Sequence, residues 1–109
     1  MIRLPPMTES AWQTQVIAFA RLHGWRVAHF RPAMNRRGEW QTAVQADGAG
    51  FPDLVLVKPG HCIVAELKRD GGRVSEEQRV WLQAFEAAGI PAYTWRPLDW
   101  DEVVSVLAI

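Results

Sequence analysis

Phe51-Pro52-Asp53-Leu54-Val55-Leu56-Val57, Lys58-Pro59-Gly60-His61 and Cys62-Ile63-Val64-Ala65-Glu66-Leu67-Lys68 follow one another without a break. The outer two runs are apolar and rich in β-branched residues, and the Pro-Gly pair between them is a turn signal, so the stretch predicts a β-hairpin. Both faces of each run are apolar, which puts the hairpin in the middle of a sheet covered on both sides. With the turn centred on Pro59-Gly60, Asp53 falls opposite Glu66. Side chains alternate along a strand, so Lys68 projects from the same face as Glu66. Two carboxylates and an amine are thereby gathered at one end of an otherwise apolar hairpin.

Like charges placed opposite each other on a sheet are destabilising, and partly buried carboxylates raise one another's pKa. A hard divalent cation offsets both effects: Mg²⁺ prefers oxygen ligands and takes only one or two protein carboxylates beside water and phosphate, and Mn²⁺ is expected to substitute. Asp53 and Glu66 are the candidate metal ligands. Lys68 can neutralise the cluster, orient a water or stabilise a pentavalent phosphate, with an activated water as nucleophile. The competing reading has Asp53 at a strand end and Glu66 with Lys68 as a solvated ion pair. An isolated E-x-K triplet would favour it, but here the acids sit in strands of buried type with complementary register.

Outward from the hairpin, Thr8 offers an N-cap for a helix that begins at Glu9, with Trp12, Val16, Phe19 and Ala20 at helical spacing and His23-Gly24 at its end. Residues 25–30 suit a strand. Residues 31–50 have no period and read as a functional loop, since a structureless stretch of that length is otherwise uncommon in a small domain. After the hairpin, Ser75 and Gln78 form a capping box that opens a helix whose Gln78, Trp81, Leu82 and Phe85 share a face, closed by Ala88-Gly89. Residues 90–96 predict a further strand, and Asp99 caps a last helix with Trp100, Val103, Val104 and Leu107 apolar. Helix, strand, hairpin, helix, strand, helix is the order of a three-layer α/β arrangement. Residues 1–8 read as an N-terminal tail and 9–109 as a single domain.

The 109 residues are enough for one core and too few for two. An apolar share of 49% with 22% charged residues argues for a folded globular chain rather than a disordered one. No apolar run approaches a membrane span and no signal-peptide core precedes the first helix, so a cytoplasmic setting without membrane partners is expected. Twelve basic and twelve acidic residues cancel, so bulk charge does not announce a nucleic-acid binder, although a bound cation would reverse the local sign. The lone Cys62 sits in an apolar run and reads as a buried filler. His23, His29 and His61 are not spaced as a ligand set. Of the six tryptophans, Trp12, Trp81 and Trp100 lie on apolar stripes and are expected in the core, and Trp40 is the one expected outside.

Gly50-Phe51-Pro52-Asp53-Leu54, Ala65-Glu66-Leu67-Lys68, Ser75-Glu76-Glu77-Gln78 and Trp81 together resemble the VRR-NUC family, the virus-type replication-repair branch of the PD-(D/E)XK nucleases, which is similar to archaeal Holliday junction resolvases. The resemblance runs from residue 9 to about residue 104. It implies a three-layer restriction-endonuclease-like fold, a central mixed β-sheet with a catalytic hairpin flanked by helices. It also implies a divalent-metal-dependent DNA endonuclease acting on Holliday junctions or other branched DNA in phage, prophage or bacterial replication, recombination or repair. By this resemblance Asp53 and Glu66 bind the metal, Lys68 is the catalytic lysine, Gln78 the active-site glutamine and Glu9 the first-helix acid. Glu9 has a second explanation, because an acid in the first turn complements the helix dipole, and Gln78 has one as the capping-box residue. Gln13, one turn after Glu9, reads as a helix-surface glutamine rather than a support for the site.

Arg31, Arg36, Arg37, Arg69 and Arg73, with Lys68, fall in the long loop and just after the E-x-K strand, where they could rim the carboxylates and contact phosphates. No base-reading module is visible, so selectivity is expected to come from DNA shape. A homodimer would place two cuts on a junction, and replication or repair proteins are candidate partners. The other readings are a restriction-type nuclease, a noncatalytic DNA-binding or scaffold domain that retains the nuclease fold, and a structural domain with a tryptophan partner surface.

Overall fold

The computed structural model describes residues 5–30, 33–34, 36–38, 40–41 and 45–109. Helix α1 spans Glu9–Leu22 and is followed by strands β1 (Arg26–His29), β2 (Ala33–Met34), β3 (Trp40–Gln41), β4 (Leu54–Lys58) and β5 (His61–Leu67). Helix α2 (Glu76–Ala87), strand β6 (Ala92–Trp95), a 3-10 turn (Pro97–Asp99) and helix α3 (Trp100–Leu107) complete the chain. Thr8 caps α1 by accepting from the Ala11 amide, and Ser75 with Gln78 forms the reciprocal capping box of α2.

The main sheet runs β1-β4-β5-β6. β1, β4 and β5 pair antiparallel, whereas β5 and β6 are parallel, a pairing that α2 permits by carrying the chain back across the sheet. The hairpin is central, and its register from Leu54↔Ala65 to Lys58↔His61 is the one that the symmetric Pro59-Gly60 turn predicts. Continued by one step, that register sets Asp53 against Glu66.

Leu54, Leu56, Ile63, Ala65 and Leu67 give one face of the sheet to a core that α1 fills with Trp12, Val16 and Ala20 and α3 with Val103 and Leu107. Each large apolar side chain buried this way stabilises the fold by roughly 1.5–3 kcal/mol. Two indoles close the core with hydrogen bonds: Trp12 Nε1 donates to the Trp95 carbonyl at 2.9 Å, and Trp25 Nε1 donates to the Leu107 carbonyl at 2.8 Å. The Trp95 carbonyl also accepts from the Lys68 amide at 3.0 Å, so one oxygen ties α1, β5 and β6 together.

Val64 and Glu66 alternate to the opposite face, where α2 lies. No residue of α2 is fully buried. Its Trp81 and Phe85 instead pack edge-on or tilted around Phe51, which also meets Phe30 at 5.2 Å between ring centres.

Four expectations need correction. Residues 31–50 are not wholly irregular, because β2 and β3 pair antiparallel within them, too short to leave a period in the sequence. Cys62 is exposed, since the turn end of β5 runs past the helices that cover its other half. Trp81 is half-buried rather than core, its Nε1 donating to the Asp47 carbonyl at 2.9 Å. Asp99 stands at the N-cap of α3, but its carboxylate accepts from the Arg96 amide across the 3-10 turn instead of capping that helix. The side chain of Trp40 lies outside the described residues. Among the described residues no helix is long and apolar enough to cross a membrane.

Candidate active site

The site forms where β4 begins and β5 ends. Asp53 stands one residue before β4, and its Oδ2 accepts from the Leu67 amide at 2.9 Å, so the carboxylate itself supplies the next partner after the ladder's last rung. Glu66 is 1% exposed, with its side chain turned away from the apolar core. Gln78, at the third position of α2, reaches it: Nε2 donates to Glu66 Oε1 at 3.1 Å, while Gln78 Oε1 accepts from the Ser75 amide at 2.8 Å. The capping contact fixes which end of the amide faces Glu66, so Gln78 caps α2 and hydrogen-bonds Glu66 at once. Lys68 Nζ lies 3.8 Å from Glu66 Oε1 with 17% of its side chain exposed, an ammonium at the mouth of the site.

Glu66 is pushed up to about 9 from an ordinary 4.5. Burial is the largest cause, followed by the hydrogen bond with Asp53 and the Asp53 charge; the Lys68 charge pulls the value back, and Glu9 adds to the rise. Glu9 is exposed in the first turn of α1. Protonated, Glu66 can donate to Asp53. Ionised, it leaves Oε2 buried with no donor.

These values give a sign for the dependence of stability on pH. In the absence of metal the folded state keeps a proton on Glu66 that the unfolded chain releases between about 4.5 and about 9. The contribution is therefore fully present below the lower value and is lost as pH rises through the upper one. The urea midpoint of the metal-free protein is expected to fall over that range, and Glu66→Gln, which holds a neutral amide there at every pH, should flatten the fall. An equal slope in that variant would assign the dependence to other groups.

The donor set suits a hard divalent cation. Two converging carboxylates, one with a buried oxygen lacking any donor, offer the anionic oxygens that Mg²⁺ or Mn²⁺ accept. Among the described residues no group of three or more His, Cys, Asp or Glu side chains gathers to hold a metal, so the remaining ligands would be water and substrate.

Arg69 and Arg73 are exposed on the connection between Lys68 and α2. That connection is pinned from β6: Arg96 donates through Nε and an Nη to the Gly72 carbonyl at 3.2 and 2.8 Å, and Asp70 accepts from the Leu98 amide at 3.2 Å. Arg36 and Arg37 are exposed between β2 and β3, and Arg31 lies outside the described residues. Gln13 is buried at 9% exposure, against its reading as a surface residue. The sequence motif includes Gly50 but does not reveal that its backbone packs against the first turn of α2. The signal available was a glycine directly before Phe-Pro-Asp.

Over 46 residues, 40% of this chain, it is 46% identical to the Fanconi-associated nuclease 1 homolog of Caenorhabditis elegans, and it spans about 5% of that relative's length. No solved structure matches it. The model of the VRR-NUC domain matches residues 29–96, which hold the central hairpin, α2 and β6 and with them Asp53, Glu66, Lys68 and Gln78. The four-stranded mixed sheet, the hairpin at its centre and the helices on either side agree with the restriction-endonuclease-like fold of that domain, and the chain belongs to the VRR-NUC family.

Proposed function

We propose that this protein is a divalent-metal-dependent DNA endonuclease, with Asp53 and Glu66 as metal ligands, Lys68 as the catalytic amine, and Gln78 and Glu9 as further members of the site. The observation that carries this reading is the convergence of Asp53 and Lys68 on the buried Glu66, whose Oε2 has no hydrogen-bond donor. The family match and the nuclease relative support the same chemistry.

What a cation held by Asp53 and Glu66 supplies is polarisation of the scissile phosphate and a lower pKa for the attacking water. The protein's own groups do the rest. Asp53 is held in place by the Leu67 amide, and Glu66 by the Gln78 amide. Lys68 offsets the negative charge that grows on the phosphoryl oxygens as the water oxygen bonds to phosphorus and gives up a proton to solvent while one ester P–O bond breaks, the departing alkoxide taking up a proton from solvent. Arg31, Arg36, Arg37, Arg69 and Arg73 would contact phosphates around the site and carry no sequence information.

We further infer selectivity for DNA shape, with Holliday junctions or other branched DNA as substrate and a homodimer placing two centres on it. Among the described residues each α-helix is engaged in the fold, α1 against α3 and the sheet and α2 against β5 and β6, which leaves none standing free to read a major groove. A bacterial, prophage or phage setting in replication or repair, in the cytoplasm, fits that role for residues 9–109 as one unit.

The test is cleavage of labelled four-way junction, flap, single-stranded and linear duplex DNA with Mg²⁺, Mn²⁺ or EDTA. Cutting of branched substrates that needs the metal is the expected result. Binding without cutting of any substrate would replace this reading with a noncatalytic DNA-binding domain.

A further inference from the structure

The balanced total charge conceals a separation. One groove, of about 450 Å³, runs between α2 and the segment before the hairpin; its charged lining residues are Asp47, Glu76 and Glu77, with no base among the lining. A second groove, of about 540 Å³, runs between α1 and the edge strand β1; its charged lining residues are Arg21 and Arg26, with no acid. A polyanion entering the site therefore meets repulsion on one side and attraction on the other.

The basic groove runs along β1 toward the end of β4 where Asp53 stands. β1 extends from Arg26, paired with Val57 near the Pro59-Gly60 turn, to His29, paired with Leu54. The next residue, Phe30, donates its amide to the Asp53 carbonyl at 2.8 Å. His29 lines the groove at this end, and Arg21 and Arg26 stand toward the other, about three strand residues or roughly 10 Å away. Among the described residues neither arginine makes an ion pair or a side-chain hydrogen bond. By contrast, nearby Lys58 is engaged, donating to the His23 and Ile109 carbonyls. Both arginines are exposed, so their charge is available without breaking any contact of the fold.

We infer that the α1–β1 groove is a binding track for a phosphodiester backbone, in which Arg21 and Arg26 hold phosphates of a DNA strand leaving the active site toward the hairpin turn. The inference rests on the nuclease reading above and adds to it a direction for the strand and two contacts outside the loop arginines. A basic residue on an edge strand also discourages pairing between sheets, and one in the last turn of a helix complements its dipole. Those roles affect aggregation and stability rather than affinity for DNA.

The experiment measures binding of a labelled duplex in EDTA by fluorescence anisotropy across a salt series, for wild type, Arg21→Ala/Arg26→Ala, Arg21→Lys/Arg26→Lys and Arg79→Ala. Each variant is also checked for thermal midpoint, oligomeric state and cleavage with Mg²⁺. The double alanine variant should bind at least about tenfold more weakly at low salt, with the slope of log K against log salt reduced by about 1.8, two phosphate contacts' worth. The double lysine variant should keep most of the affinity, and Arg79→Ala, on the acidic side, should match wild type. Unchanged affinity and slope in the double alanine variant, while wild type binds and cuts DNA, would overturn the track and leave the nuclease reading standing. Loss of binding in that variant from a wild type that binds but never cuts would support the track and remove the nuclease reading. A wild type that neither binds nor cuts DNA would overturn both. A change of oligomeric state without a change in the salt slope would also overturn the track, making the groove a contact between copies of the chain.

Discussion

Replacing Lys68 with alanine is expected to lower the rate of DNA cleavage by about 10²–10³-fold, the range found when one charge-stabilising group is removed from a reaction of this kind. The ammonium is the sole cation within 4 Å of Glu66 among the described residues, at 3.8 Å from Oε1, and it is the one neighbour that pulls the Glu66 pKa down rather than up. Its loss acts twice. In the proposed reaction the phosphoryl oxygens would lose a counter-charge as negative charge develops, and Glu66 would become harder to ionise, weakening its hold on a metal. The two effects separate experimentally: saturating Mn²⁺ should restore the part due to metal affinity and leave the part due to the missing charge. Lys68→Arg keeps the charge but replaces a compact ammonium with a planar fork, and should recover only part of the rate. Because 17% of the side chain is exposed and it lies outside the apolar core, the thermal midpoint should move little. Single-turnover cleavage within threefold of wild type in Lys68→Ala would remove the lysine from the mechanism.

The second large effect is expected at Gly50. Its φ of +81° lies in the left-handed region, and a Cβ there would stand 2.5 Å from the Glu77 carbonyl carbon, 2.6 Å from Glu77 Cβ and 2.7 Å from the Gln78 nitrogen. Two of those three atoms are backbone in the first turn of α2, which cannot move without carrying the helix along. Gly50→Ala should therefore cost roughly 2–4 kcal/mol in unfolding free energy, combining the conformational penalty with overpacking. It should also slow cleavage, since a shifted α2 withdraws Gln78 from Glu66. Gly71 supplies the control: its φ is +82° but nothing lies within 4 Å of its Cβ position, so Gly71→Ala carries only the conformational part, about 1 kcal/mol. Equal destabilisation of the two variants in urea titrations would show that the close approach of Gly50 to α2 is unimportant.

The parts of this molecule that could be read from the sequence are those fixed by short-range rules. A two-residue turn with apolar runs on both sides determines a register, which is why Asp53 could be set against Glu66 before any coordinates. The capping box at Ser75 and Gln78 is equally local. What escaped depends on neighbours distant in sequence. Gln13 is polar and sits between Trp12 and Thr14, so nothing in its surroundings in the chain announces burial. Cys62 belongs to an apolar run, but the helices stop short of the turn and leave it exposed. The role of Gly50 depends on a helix that begins 26 residues later, at Glu76. The paired segments β2 and β3 have two residues each, too few to express the alternation by which a strand is recognised. The charge separation between the two grooves is invisible in a total of twelve against twelve.

The double acceptance at the Trp95 carbonyl bears on the order in which the molecule can assemble during translation. Asp53, Glu66 and Lys68 belong to a hairpin that can close as soon as its turn has emerged from the ribosome. The indoles of Trp12 and Trp25, by contrast, await carbonyls 83 and 82 residues downstream. A nascent chain that stops short of Trp95 thus has Asp53, Glu66 and Lys68 but lacks the oxygen that joins the first helix to the end of the strand that carries Glu66 and leads into Lys68. Helix α1 waits for β6 and α3, and the growing chain gains these charged side chains well before it gains the fold that holds them together.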